Sequence, residues 1–182
     1  SAENFRTSFG YLSMSSRSYV EEPGEFWGLH TPEFVPLWAE GPGSKQVAAA
    51  MDNAEVGERL QHLIRGETQS NEAEPGRDGA PEPGPQNAIL FVGDGLGLDA
   101  LTAAHYAGGG LKLRAMSTRG LVATHSAERL VGDEASAGTA LFSGRRTTRG
   151  AIGMELADKG LKSVRSILER AELSGRRTGI VT

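Results

Sequence analysis

NAILFVGDGLG, residues 87–97, carries an unbroken apolar run from Ala88 to Val92 and then breaks on Gly93-Asp94-Gly95. A continuous apolar run of strand length is how a strand buried on both faces of a parallel sheet reads. LDALTAAHYA follows at 98–107 with the character of a helix. Asp94 therefore falls at the carboxyl end of a predicted buried strand, the place where open α/β sheets bind their ligands. Gly93 and Gly95 remove side-chain bulk on either side, so a cation and the backbone can approach the carboxylate. Taken on its residues alone, the stretch is either a metal-holding aspartate or a plain strand–turn–helix connection.

Outward from it, the same alternation continues. LVATHS (121–126) has the character of a second short strand. SVRSILERAEL (163–173) puts Val164, Ile167, Leu168 and Ala171 on one helical face, with Gly175 as its stop. TGIVT (178–182) begins a further strand. Strands alternating with helices predict an α/β fold with a central, largely parallel sheet flanked by helices.

Upstream, residues 66–86 (GETQSNEAEPGRDGAPEPGPQ) hold four of the eight prolines and almost nothing apolar. Such a segment cannot bury enough surface to offset its ordering entropy, and it reads as a flexible linker. It separates a segment at 1–65 from one at 87–182. Within 1–65, residues 1–24 are Ser-rich and aperiodic. EFVPLWA (33–39) has strand character, with Pro36 pointing to an edge position. After a turn at GPGS (41–44), MDNAEVGERLQHLIR (51–65) reads as a helix. Asp52 and Glu55 form a possible capping box there, and Val56, Leu60, Leu63 and Ile64 share one face.

Composition narrows the function classes. The 182 residues carry a net charge of −4 and a pI near 5.6, so no basic face of the kind nucleic-acid binding needs is built. With no cysteine, disulfides and thiolate metal sites are excluded, and any metal must be held by His and carboxylate. No apolar run reaches the ~20 residues of a membrane span. The opening SAENFRTSFG lacks the charged and apolar regions of a signal peptide.

A second stretch carries chemistry. VGDEASAGTALFSG (131–144) is crowded with small residues around one acidic pair, Asp133 and Glu134. A helix starting near Ala135–Thr139 directs free N–H groups at an anion, with a hydroxyl or carboxylate beside it. The same composition also suits a tight helix–sheet contact.

Together these motifs resemble the alkaline phosphatase family. NAILFVGDGLG, GLVATHS, VGDEASAGTALFSGRRTTRGAIGM and SILERAELSGRRTGIVT stand in the order of the family's N-terminal part, from about 87 to 182. The resemblance implies phosphate monoester hydrolysis through a phosphoenzyme, with zinc and magnesium, a phosphate ester substrate, a homodimer and a periplasmic or secreted setting. It places Asp94 as the aspartate that bridges magnesium and zinc. GLHTPEFVPLWAEGPGS (28–44) resembles the family's C-terminal H-T-x-x-x-V-P segment, which makes His30 a zinc ligand. The family's tail thus precedes its head, the arrangement of a circular permutation or of a junction between tandem copies.

The chain departs from the pattern at the nucleophile. The family has a serine directly after an aspartate; here Asp133 takes the aspartate's place and Glu134 the serine's. Three readings stand open: Ser136 as nucleophile through a local register change, Glu134 marking a metal-holding or degenerate site, or Thr139 acting further along the helix. Neither a D-H dipeptide nor a D-x-x-x-H zinc motif occurs in the sequence. Two zinc ions need about six to eight protein ligands, so a complementary chain is expected to supply the rest. The alternatives are a phosphodiesterase or sulfatase-like hydrolase on the same scaffold, or an inactive homologue that binds ligand or supports assembly. Arg145 and Arg146 offer positive charge for phosphate or a solvated helix end, while His62, His105 and His125 match no family ligand.

Overall fold

The computed structural model of the chain describes residues 30–66, 85–108 and 110–182. Residues 1–29 lie outside that range, as do 67–84, which hold nearly all of the expected linker. The first described element is strand β1 (Val35–Ala39), with Pro36 inside it. It pairs antiparallel with β2 (Thr118–Val122), Val35 opposite Val122 and Ala39 opposite Thr118. Each is an edge in this two-stranded sheet, so the missing N–H of Pro36 is tolerated.

Behind the pair lie a short helix α1 (Ser44–Ala48) and the long α2 (Asn53–Arg65). Asp52 caps α2 by accepting the Glu55 N–H at 2.9 Å, and the Glu55 carboxylate accepts the Met51 N–H at 2.7 Å. Gly66 ends the helix in the left-handed conformation, φ 74°. Val47, Ala50, Val56, Leu63 and Val122 form the buried core, with Val35, Leu37, Leu60 and Leu141 packed against it. Leucines and valines from both sides of the linker are therefore folded into one core.

The remaining elements follow in order: α3 (Leu98–Tyr106), a 3-10 turn (Lys112–Ala115), then β2, and α4 (Glu134–Ser143). A hairpin of β3 (Met154–Ala157) and β4 (Gly160–Ser163) comes next. The last helix is α5 (Ile167–Leu173), capped by Ser166 and Glu169 in a reciprocal capping box. The expected helix at 163–173 thus starts later, because Ser163 completes β4 and the Val164 N–H is held by the Gly153 carbonyl. Ile167 and Ala171 are its buried face.

The helices and strands fit an α/β chain, but the expected central parallel sheet is not formed among the described residues. Both sheets are two-stranded and antiparallel. Residues 87–92 and 178–182, read as strands, lie outside regular structure. The physical reason is that nothing among the described residues pairs with them or covers their faces: Ile89 is 81% exposed, Phe91 90% and Val181 100%.

Candidate active site

The site is built where the first piece meets the second. Asn53, at the start of α2, donates its backbone N–H to the Ala123 carbonyl and its side-chain amide to the Ala137 carbonyl of α4. Arg146, just past α4, pairs with the capping Asp52 at 2.6 Å. Gly57 of α2 lies against the α4 backbone at Ala140 and Leu141. This packing fixes the start of α4 relative to β1, and His30 lies shortly before β1.

The result is a juxtaposition across the whole chain. His30 Nε2 stands 3.2 Å from Glu134 Oε2. Glu134 is the first residue of α4, so its carboxylate sits at the positive end of the helix dipole. Its side chain is 79% exposed, and it is held below the usual carboxylate range by its own backbone N–H and by the His30 ring. Glu134 is thus an ionised, accessible group facing an imidazole.

Ser136 is placed differently. It is 2% exposed and is the third residue of the helix, in a capping box with Asp133. Its N–H donates to Asp133 Oδ1 at 2.9 Å, while its hydroxyl accepts the Asp133 N–H at 3.2 Å. The Ser136 hydroxyl is thus buried and engaged with the Asp133 backbone at the start of its own helix. Thr139 is also buried; its hydroxyl donates to the Ala151 carbonyl and accepts the Gly153 N–H, each at 3.0 Å. Of the three candidates for the nucleophile position, only Glu134 faces outward. Replacing Ser136 by Ala keeps the Asp133 cap on the backbone N–H of residue 136 but removes the reciprocal acceptor of the Asp133 N–H; it is expected to lower stability by about 1 kcal/mol, read in urea unfolding, with the His30–Glu134 contact left in place.

Asp133 carries a brace that the sequence reading did not assign. Its second oxygen accepts the Gly150 N–H at 2.7 Å, tying the 145–153 loop to the start of α4. Burial raises the Asp133 carboxyl, but hydrogen bonds from Ser136 and Gly150 outweigh it and the net shift is downward. Asp52 behaves alike: burial opposes ionisation, and the Glu55 N–H and Arg146 overcome it. Groups lowered on folding stabilise fully above their unfolded pKa of about 3.9 and lose that contribution as pH falls through the folded value. Stability is therefore expected to fall below about pH 4, with less acid loss in Asp52→Asn and Asp133→Asn, measured by thermal melts across pH.

Asp94 is the second metal residue that the family resemblance implied. It occupies an exposed turn closed by the Leu96 N–H on the Gly93 carbonyl, with Gly95 at φ 66°. Among the described residues no three His, Asp or Glu side chains gather as a metal site. His30 and Glu134 offer nitrogen and oxygen donors of the type zinc takes, but tetrahedral zinc needs four ligands. The described residues alone do not complete such a site. The two arginines are engaged elsewhere, Arg146 with Asp52 and Arg145 with Glu155 at 3.6 Å. His125 contacts the Ser126 carbonyl at 2.9 Å, and His105 stacks edge-on against Tyr106.

Among curated proteins, the chain is 35% identical over 113 residues to alkaline phosphatase 4 of Drosophila melanogaster, covering 53% of this chain and 19% of the relative. It is 34% identical over 106 residues to alkaline phosphatase 4 of Bacillus subtilis (strain 168), covering 53% of this chain and 22% of the relative. The chain thus spans about a fifth of the length of these relatives. No solved structure matches it. No helix among the described residues is long and apolar enough to cross a membrane. The sequence pattern of the alkaline phosphatase family matches residues 85–182, more than half of the chain, and the chain belongs to that family.

Proposed function

We propose that this chain is part of an alkaline phosphatase-type hydrolase of phosphate monoesters, acting through a phosphoenzyme. The observation that carries the reading is the 3.2 Å approach of His30 to Glu134. The residue resembling a family zinc ligand and the residue at the nucleophile position come from opposite sides of the linker and meet at a helix N-terminus. In this reading α4 orients the substrate phosphate by its dipole and first-turn amides. His30 and Asp94 are the chain's contribution to a zinc and magnesium centre whose other ligands come from a complementary chain. Segment 30–65 takes the part of the family's C-terminal portion. Its strand pairing with β2 and its packing on α4 support the permuted or tandem-junction arrangement. A dimer and a periplasmic or secreted setting belong to the same proposal.

A second reading is favoured by one observation. A carboxylate occupies the nucleophile position while the nearby serine is buried. An inactive homologue that binds ligand accounts for both. The test is p-nitrophenyl phosphate hydrolysis by this chain co-expressed with the rest of the Drosophila relative, with and without zinc. Zinc-dependent hydrolysis by the assembly, and no stoichiometric zinc on the dialysed chain alone, is the expected result. An assembly that holds zinc and phosphate without turnover selects the inactive homologue.

A further inference from the structure

The 3.2 Å between His30 Nε2 and Glu134 Oε2 has two chemical readings. One is an exposed ion pair, of a kind that contributes at most about 1 kcal/mol. The other is the edge of a coordination polyhedron. Zinc holds an imidazole nitrogen at about 2.0–2.1 Å and a carboxylate oxygen at about 2.0–2.2 Å, so two ligands of one tetrahedral ion stand roughly 3.3–3.5 Å apart. The observed separation falls just short of that edge, within the ~0.2 Å tolerance of metal–ligand distances. The donor set fits the same ion, with one nitrogen and one carboxylate oxygen in a chain that has no thiolate.

The start of α4 singles out Glu134 for this part. Asp133 precedes it, but its two carboxylate oxygens accept the N–H groups of Ser136 and Gly150. The Ser136 hydroxyl is buried and accepts the Asp133 N–H. Glu134 carries its carboxylate on a longer side chain, 79% exposed, that extends to the imidazole.

We propose that Glu134 is itself a ligand to the zinc ion that His30 holds, and that it fills the coordination position a substrate oxygen needs. The proposal rests on the reading of His30 as a zinc residue given above. What it adds is the role of residue 134, where the family resemblance implies a nucleophile. Structural zinc sites have four protein ligands, whereas catalytic ones leave one position open. A carboxylate supplied from the nucleophile position turns the second kind into the first. A phosphate ester then has to displace Glu134 before it reaches the metal. Two donors hold zinc loosely enough to lose it on dialysis, yet tightly enough to follow by titration.

The experiment titrates the full chain with zinc chloride and follows the His30 ring nitrogens and the Glu134 side-chain carboxyl carbon by NMR. Both are expected to move along one binding curve. Glu134→Gln keeps an oxygen that can accept from the His30 ring but removes the charge. It is expected to weaken zinc binding by roughly tenfold or more, the loss seen even when outer-shell partners of a metal are removed. His30→Ala is expected to abolish the Glu134 response. Unchanged β1–β2 amide shifts in both variants establish that they fold. Equal zinc affinity in the parent and Glu134→Gln overturns the proposal and leaves His30 as a zinc residue beside a bystander carboxylate. No response of the His30 ring up to millimolar zinc overturns the proposal and the reading of His30 together. Zinc held jointly by His30 and Glu134 in a completed assembly without turnover keeps the proposal and removes the hydrolytic reading.

Discussion

Replacing Glu134 by serine is expected to raise phosphate monoester turnover of the completed assembly by several orders of magnitude, since loss of the nucleophile costs about 10⁶-fold in a serine hydrolase. The argument is positional. Residue 134 opens α4, its side chain is 79% exposed, and His30 lies against it. A serine there presents a hydroxyl to a phosphate seated on the helix N-terminus. The native carboxylate presents negative charge to the same anion, and its lowered pKa keeps it charged throughout the neutral range. Losing the His30 contact costs little, because exposed ion pairs contribute weakly. The assay is p-nitrophenyl phosphate hydrolysis with acid-quench trapping of labelled phosphate on the chain. Label at residue 134 in Glu134→Ser, and not at Ser136, is the expected pattern. Parent and variant turning over equally would remove residue 134 from the phosphate position. A parent faster than the variant would make Glu134 itself the working group.

How far the sequence foretold this arrangement depends on whether local chemistry or long-range pairing decided each element. The helix at 51–65 was legible because Asp52, Glu55 and Gly66 mark both ends and Val56 and Leu63 recur on one face. A helix starting near 135–139 was foreseen; it begins slightly earlier, at Glu134, because Asp133 caps it, and Gly144 closes it. The β3–β4 hairpin was not foreseen; its strands have only four residues each, too short to display alternation. Strands at 87–92 and 178–182 were foreseen but are not formed. A strand's pattern states what it needs on both sides, not whether this chain provides it. The family resemblance implied a shared site for His30 and Glu134, and their side chains stand 3.2 Å apart, with β1 paired to β2. The Ser136 hydroxyl could not be placed from sequence, because a serine three residues after a capping aspartate reads equally as a cap partner or as a shifted nucleophile.

The docking of the 30–66 segment onto the rest of the chain turns on one glycine, and two substitutions with opposite expected signs test it. A Cβ on Gly57 meets the Leu141 carbonyl, lies 2.7 Å from the Ala140 carbonyl and 2.9 Å from the Gly144 nitrogen. These are backbone atoms of α4 and its cap, which cannot swing aside as a flexible side chain could. Alanine in a helix interior gains about 1 kcal/mol over glycine. Forcing two packed helices apart costs typically 1–3 kcal/mol or more, and here it also strains the Asn53 and Arg146 links beside the contact. Gly57→Ala is therefore expected to destabilise, and Gly57→Val more so. Gly138 lies within α4 itself, with nothing within 4 Å of an added Cβ. Gly138→Ala keeps only the favourable term and is expected to stabilise by up to about 1 kcal/mol. Urea unfolding of the three variants reads both signs on one scale. If Gly57→Ala behaves like Gly138→Ala, the close α2–α4 contact is wrong, and the path that sets His30 beside Glu134 falls with it. If the signs split as expected, the segment before the linker is an integral part of the fold that builds the site.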